Sequence, residues 1–146
     1  MTVGRICVRT VDLASSDESV QVAAGRMHNR KVGTLVVLDK EERPVGIVTD
    51  RDLTVRVLAA ARDPLTTTVG DVMTQSPRMV REDTSIEDAL AVMRAAPCRR
   101  IPVVDGEGCL VGLLSLDDIL DLLREEFDAI GRLVRGESPD SLGEEE

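Results

Sequence analysis

The sequence predicts an α+β fold: two βαββα repeats packed about a pseudo-twofold axis, their small sheets flanked by helices. Three observations predict it. The chain matches itself without gaps at an offset of 66 residues, the mark of a tandem repeat. Each copy carries an apolar pattern of helical period, then two short apolar runs separated by a tight turn. Its 146 residues, 42% hydrophobic, match one ordinary domain or two small units that share a core.

A chance match would drift out of register; this one does not. Val3-Gly4 falls on Val69-Gly70, Asp17 and Ser19 on Asp83 and Ser85, Val45-Gly46 on Val111-Gly112, and Asp52 on Asp118. In the first copy Val20, Ala23, Ala24 and Met27 stand at i, i+3, i+4 and i+7, which predicts an amphipathic helix. The second copy repeats it with Ile86, Ala89, Leu90 and Met93. There Thr84-Ser85-Ile86-Glu87 predicts a capping box, with Glu18 standing where Thr84 does. Apolar runs at 32–38 and 101–104 follow, then turns at 39–43 and 105–108, then second runs at 44–48 and 110–114. Turns this short make each pair of runs a hairpin. A helix closes each unit, at about 50–61 and about 116–134, the second extending the body of the domain.

The division predicted is a first repeat with its linker at 1–66, a second repeat at 67–135 and a disordered acidic tail at 136–146. One copy cannot bury both faces of its small sheet. Two copies bury them against each other and leave two related clefts between them.

Composition narrows the function. The net charge is −9, with five acidic residues among 137–146. An acidic chain is a poor general binder of nucleic acid, which needs clustered Lys and Arg. Phe127 is the one aromatic residue, so a site for a flat base would have aliphatic walls. The cysteines are Cys7, Cys98 and Cys109, with no C-x-x-C; the expectation is reduced thiols in a cytoplasmic protein. A single histidine, His28, at a helix end argues for a surface role and against a zinc site. The N-terminus lacks a signal-peptide core and no uncharged stretch reaches transmembrane length, so no membrane partner is expected. There is no Ser-His-Asp set, no P-loop and no metal cluster. The adjacent Asp117 and Asp118 suit the dipole at a helix start. An enzyme is therefore the weakest reading.

The candidate site lies where the second strand meets the closing helix. The copies read Gly46-Ile-Val-Thr49-Asp-Arg-Asp52 and Gly112-Leu-Leu-Ser115-Leu-Asp-Asp118. A hydroxyl beside a helix's first amides suits a phosphate. A carboxylate three residues on can accept hydrogen bonds from vicinal ribose hydroxyls. The glycine admits another backbone or a ligand close to the strand. The same spacing is also a capping box, and one Asp can serve both purposes.

These segments, with Val69-Gly-Asp-Val-Met-Thr74, Val45-Gly-Ile-Val-Thr-Asp-Arg-Asp-Leu53 and Val111-Gly-Leu-Leu-Ser-Leu-Asp-Asp-Ile119, resemble a tandem cystathionine-β-synthase (CBS) domain pair. The resemblance, to a stand-alone Bateman module, covers about residues 3–134. It implies AMP, ADP, ATP or S-adenosylmethionine as a regulatory ligand held between the repeats, with no cofactor required. It implies ribose on Asp52 and Asp118, and phosphate or ribose near Thr49 and Ser115. One cleft would join Thr49 and Asp52, helped by Arg51, to Thr84, Ala89, Arg99, Arg100 and Ile101. The other would join Ser115 and Asp118 to Glu18, Ala23 and Thr34.

Arg99 and Arg100 would balance phosphate charge in the first cleft, or else stand as exposed arginines beside a strand. Glu18 would repel phosphate from the second, where Gly33-Thr34 replaces the arginine pair. The Thr49/Asp52 cleft is therefore expected to bind a phosphorylated nucleotide more tightly. The resemblance also implies a homodimer and an unidentified regulated partner. A dimerisation or interaction scaffold with vestigial clefts is the alternative.

Overall fold

The computed structural model describes residues 1–136. The predicted acidic tail lies outside the described residues from 137 onward.

A 3-10 turn at Val3–Arg5 opens the chain. Then follow β1 (Leu13–Ala14), α1 (Val20–Arg30), β2 (Thr34–Leu38), β3 (Pro44–Thr49) and α2 (Asp50–Leu53). The helix runs on as one π turn, Thr54–Leu58. The second half holds α3 (Val69–Val72), β4 (Thr74–Gln75), β5 (Val80–Arg81), α4 (Ile86–Ala95), β6 (Arg100–Val104), β7 (Leu110–Ser115) and α5 (Leu116–Gly136). The strands form two sheets, ordered β1-β2-β3-β4 and β5-β6-β7. The fold is the α+β pair of repeats expected.

The hairpins repeat each other at the sequence offset. Thr34 pairs with Thr49 as Arg100 pairs with Ser115, and Val37 with Gly46 as Val103 with Gly112. Even the register shift recurs, after Val37 and after Val103. β2 is buried along most of its length, as a central Val/Leu strand should be, while β3 alternates buried and half-buried residues.

Helix ends follow local chemistry, with two departures from expectation. Ser19 caps α1 by accepting the Val22 N–H, and Lys31 closes it in the left-handed conformation at φ 56°. The α4 cap is Ser85, which accepts the Asp88 N–H; the expected Thr84/Glu87 box does not form. The cause is the N-terminus: Thr2 bridges Ser85 in an antiparallel pair and Met1 O accepts the Ile86 N–H. This pairing keeps Ser85 extended, so the helix starts one residue later. The first closing helix ends at Leu58 rather than about 61, and Ala61 turns left-handed at φ 55°.

The two bodies exchange their leading segments. The first core gathers Val20, Ala23, Met27, Leu35, Val37 and Val48 with Val69 and Val72 of α3. The second gathers Ile86, Ala89, Met93, Ile101, Val103 and Leu114 with Val3. Val3 N donates to Thr84 O and Gly4 N to Glu82 O, each at 2.9 Å. Val69 N to Glu18 O and Gly70 N to Ser16 O, also 2.9 Å, are their counterparts. β4 extends the first sheet through Ile47↔Thr74, and Val8 bridges Leu113 at the equivalent place.

This exchange explains the strand glycines. A Cβ on Gly46 would lie 2.2 Å from Met73 Sδ, and one on Gly112 would lie 2.8 Å from Cys7 Sγ and 2.9 Å from Val8 O. The close approach is made by the incoming segment. Val3 and Val69 are wholly buried, each worth roughly 1.5–3 kcal/mol of apolar burial before ordering entropy.

Candidate functional site

Each strand-to-helix corner is built as a reciprocal cap. At the β3–α2 corner Asp52 N donates to Thr49 Oγ1 at 3.1 Å, and Thr49 N donates to Asp52 Oδ2 at 3.0 Å. At the β7–α5 corner Asp118 N donates to Ser115 Oγ at 3.1 Å and Ser115 N to Asp118 Oδ2 at 2.9 Å. The cap thus fixes each carboxylate through one oxygen and leaves Oδ1 without a hydrogen bond among the described residues. Asp52 Oδ1 lies 3.9 Å from Arg56 Nη2. Arg56 also donates to Val72 O at 2.7 Å, tying the exchanged segment to this corner. Leu122 replaces that arginine beside Asp118.

Both corners open onto hollows between the repeats. Thr49, Arg51 and Asp52 line a cleft of about 810 Å³ together with Arg99, Arg100 and Ile101. Ser115 and Asp118 line a smaller one of about 270 Å³ with Gly33, Thr34 and Arg100. The walls are equivalent positions bearing different residues. Arg78 of the large cleft corresponds to Asp12 of the small one, Pro97 to Lys31, Cys98 to Val32 and Arg99 to Gly33. The large cleft has four arginines (Arg51, Arg78, Arg99, Arg100) against Asp50 and Asp52. The small cleft has Lys31 and Arg100 against Asp12 and Asp118. Asp12 is itself paired with Arg30 at 2.8 Å. The larger hollow is thus the more cationic.

Thr34 and Arg100 begin β2 and β6, and each lines both hollows. Thr34 is 6% exposed, and its Oγ1 is buried without a hydrogen-bond partner. An unmatched buried hydroxyl costs about 1–3 kcal/mol, so a ligand that supplies a partner recovers that. Arg100 is exposed, and its guanidinium makes no hydrogen bond or ion pair among the described residues. Arg99 contacts Asp117 at 3.5 Å, both well exposed.

Four expected wall residues lie elsewhere. Ala23 and Ala89 are fully buried in their own cores, because they sit in the stripe by which α1 and α4 pack on their sheets. Thr84 stands in the turn before α4, its hydroxyl accepting the Arg81 N–H. Glu18 takes two contacts from Arg26, one of them Nη2 to Oε2 at 2.8 Å. That pairing holds its carboxyl below the ordinary glutamate range and away from the small cleft. Conversely, sequence reasoning missed Arg78, Pro77 and Thr74 in the large cleft, and Asp12 and Lys31 in the small one. The repeat offset relates Arg78 to Asp12 and Pro77 to Val11, but only the segment exchange brings these loops to the hollows.

Burial is the main reason the Cys7 and Cys98 thiols titrate above the ordinary cysteine value; both are protonated at neutral pH. Among the described residues no cluster of three or more His, Cys, Asp or Glu side chains could hold a metal ion. No helix among them is long and apolar enough to cross a membrane.

Two related hollows, each lined by residues of both halves, define a paired-repeat module. A family model described as CBS domain matches residues 3–59 and again 69–125, and the chain belongs to that family. It is 31% identical over 122 residues to protein MK0525 of Methanopyrus kandleri, covering 84% of this chain and 62% of that one. Among solved structures it is similar to CBSX2 of Arabidopsis thaliana in complex with AMP, with TM-score 0.73, 30% identity, and coverage of 85% of this chain and 96% of that one. It is also similar to the CBS domain pair of protein MJ0100 in complex with 5′-methylthioadenosine and S-adenosylmethionine, with TM-score 0.77, 25% identity, and coverage of 86% and 98%.

Proposed function

We propose that this chain is a regulatory module that senses an adenosine-containing ligand in its inter-repeat clefts and catalyses nothing itself. The observation that carries the reading is the pair of capped corners. In each, an Asp held by its own helix start keeps one carboxylate oxygen free of hydrogen bonds beside a hollow, that of Asp52 lying 3.9 Å from Arg56 Nη2. A vicinal diol of ribose is the partner for such an oxygen. The unmatched Thr34 hydroxyl between the hollows adds a second point of recognition. The AMP-bound and S-adenosylmethionine-bound relatives supply the ligand class.

The four arginines favour a phosphorylated nucleotide (AMP, ADP or ATP) in the large cleft. The smaller, more nearly neutral cleft favours a less anionic ligand such as S-adenosylmethionine. Ligand would shift the balance between arrangements of the repeats, read by a partner protein or through self-association as a homodimer.

Calorimetric titration with AMP, ATP, S-adenosylmethionine and NAD tests this. Asp52→Ala should weaken nucleotide binding in the large cleft about ten- to hundredfold, the loss of one charge-assisted hydrogen bond of about 1.5–3 kcal/mol. Asp118→Ala should spare that event. Flat titrations with all four ligands would instead favour a dimerisation scaffold with vestigial clefts.

A further inference from the structure

Helix α5 runs for 21 residues, yet Ile119 is its only buried side chain. Leu116 and Leu122 pack partly against the second core. Beyond them the apolar stripe runs on without a wall: Leu123 is 48% exposed, Phe127 74%, Ile130 56% and Val134 65%. Leu120, Leu123, Phe127, Ile130 and Val134 are spaced 3, 4, 3 and 4 residues apart. That alternation, mean 3.5, is the seam of a two-helix coiled coil. A half-helix of this length with Gly131 inside it is marginal alone in water. Its stability calls for a second surface.

Charge says which surface. The first turns of α5 carry Asp117, Asp118, Asp121, Glu125, Glu126 and Asp128 against Arg124 alone, whereas the last turns carry Arg132 and Arg135. A parallel partner of the same sequence would set acids beside acids; an antiparallel one sets the acidic half beside the basic end. The register follows too. With Leu123 opposite Val134 and Phe127 opposite Ile130, Arg124 flanks Gly131 and Glu126 flanks Leu133 of the other helix. One heptad back, Arg124 would meet Arg124 and Glu126 would meet Glu126.

We propose that the free half of α5 pairs antiparallel with α5 of a second copy of this chain, through Leu123, Phe127, Ile130 and Val134. This seam stands on the helix alone and needs no ligand in the clefts.

Sedimentation of the full chain without ligand tests it. The expected mass is twice 15.8 kDa. Phe127→Glu, and separately Ile130→Glu, should return it to 15.8 kDa with the thermal midpoint of the body unchanged. Oxidation of an equal mixture of F127C and I130C chains should then give chiefly the mixed 127–130 disulfide. A wild-type monomer at tens of micromolar, a dimer that survives both glutamate variants, or a predominance of 127–127 and 130–130 links would each overturn the proposal. So would flotation of a wild-type monomer with lipid vesicles that Phe127→Glu abolishes, which would assign the stripe to a membrane surface. Failure here leaves the cleft reading standing, because no arm of the experiment contains nucleotide.

Discussion

At the scale of single residues, Glu18 shows how a neighbour redirects a charge. Its position suggested repulsion of phosphate, but the hydrogen bonds from Arg26 hold it aside and lower its pKa. The sign of the consequence follows. A carboxyl whose folded pKa is depressed adds stability above its unfolded value near 4.5 and loses it as pH falls through the folded value. Arg26→Gln should therefore cost about 1 kcal/mol at pH 7 and progressively less as pH falls through the folded value. Urea unfolding midpoints of both proteins across that range check it: the two curves should converge in acid. Thr34 is the opposite case, a buried hydroxyl whose local neighbours leave it unmatched.

At the scale of elements, the exchanged leading segments set the demands on the strands. Gly46 and Gly112 occupy equivalent places, but what a methyl would strike differs. At Gly46 it meets the flexible side chain of Met73; at Gly112 it meets the backbone oxygen of Val8 as well as Cys7. Gly112→Ala should cost about 1–3 kcal/mol of stability through overpacking. Cys7→Ala should not rescue it, because the carbonyl remains. Gly46→Ala should cost less, and adding Met73→Ala should recover part of the loss. Equal costs in denaturant titrations, or full rescue by Cys7→Ala, would contradict this account.

At the scale of the molecule, the hollows share a wall. Thr34 and Arg100 stand at equivalent positions of β2 and β6, and each faces both clefts. Arg99 faces the large one alone. On the proposed reading, Arg100→Leu should weaken anionic ligands in both clefts, each by about tenfold. Arg99→Leu should act only on the large cleft. Titration of each variant with ATP, in Asp52→Ala and Asp118→Ala backgrounds that isolate one cleft at a time, separates the two patterns; a one-site effect of Arg100→Leu would show that the wall is not shared in function.

The repeat, its hairpins and the capped Asp at each corner were legible along the chain, because they arise from contacts between residues a few positions apart, set by periodicity and capping chemistry. Val20, Met27, Thr49, Asp52, Ser115 and Asp118 stand where local rules put them. What only the tertiary structure decided is which segments cross between the halves. The N-terminal pairing shifted the α4 cap to Ser85, and the crossing of residues 67–75 brings Thr74 to the large cleft beside Arg78. Such contacts join residues dozens of positions apart and depend on the shape of two packed bodies, which no local pattern encodes.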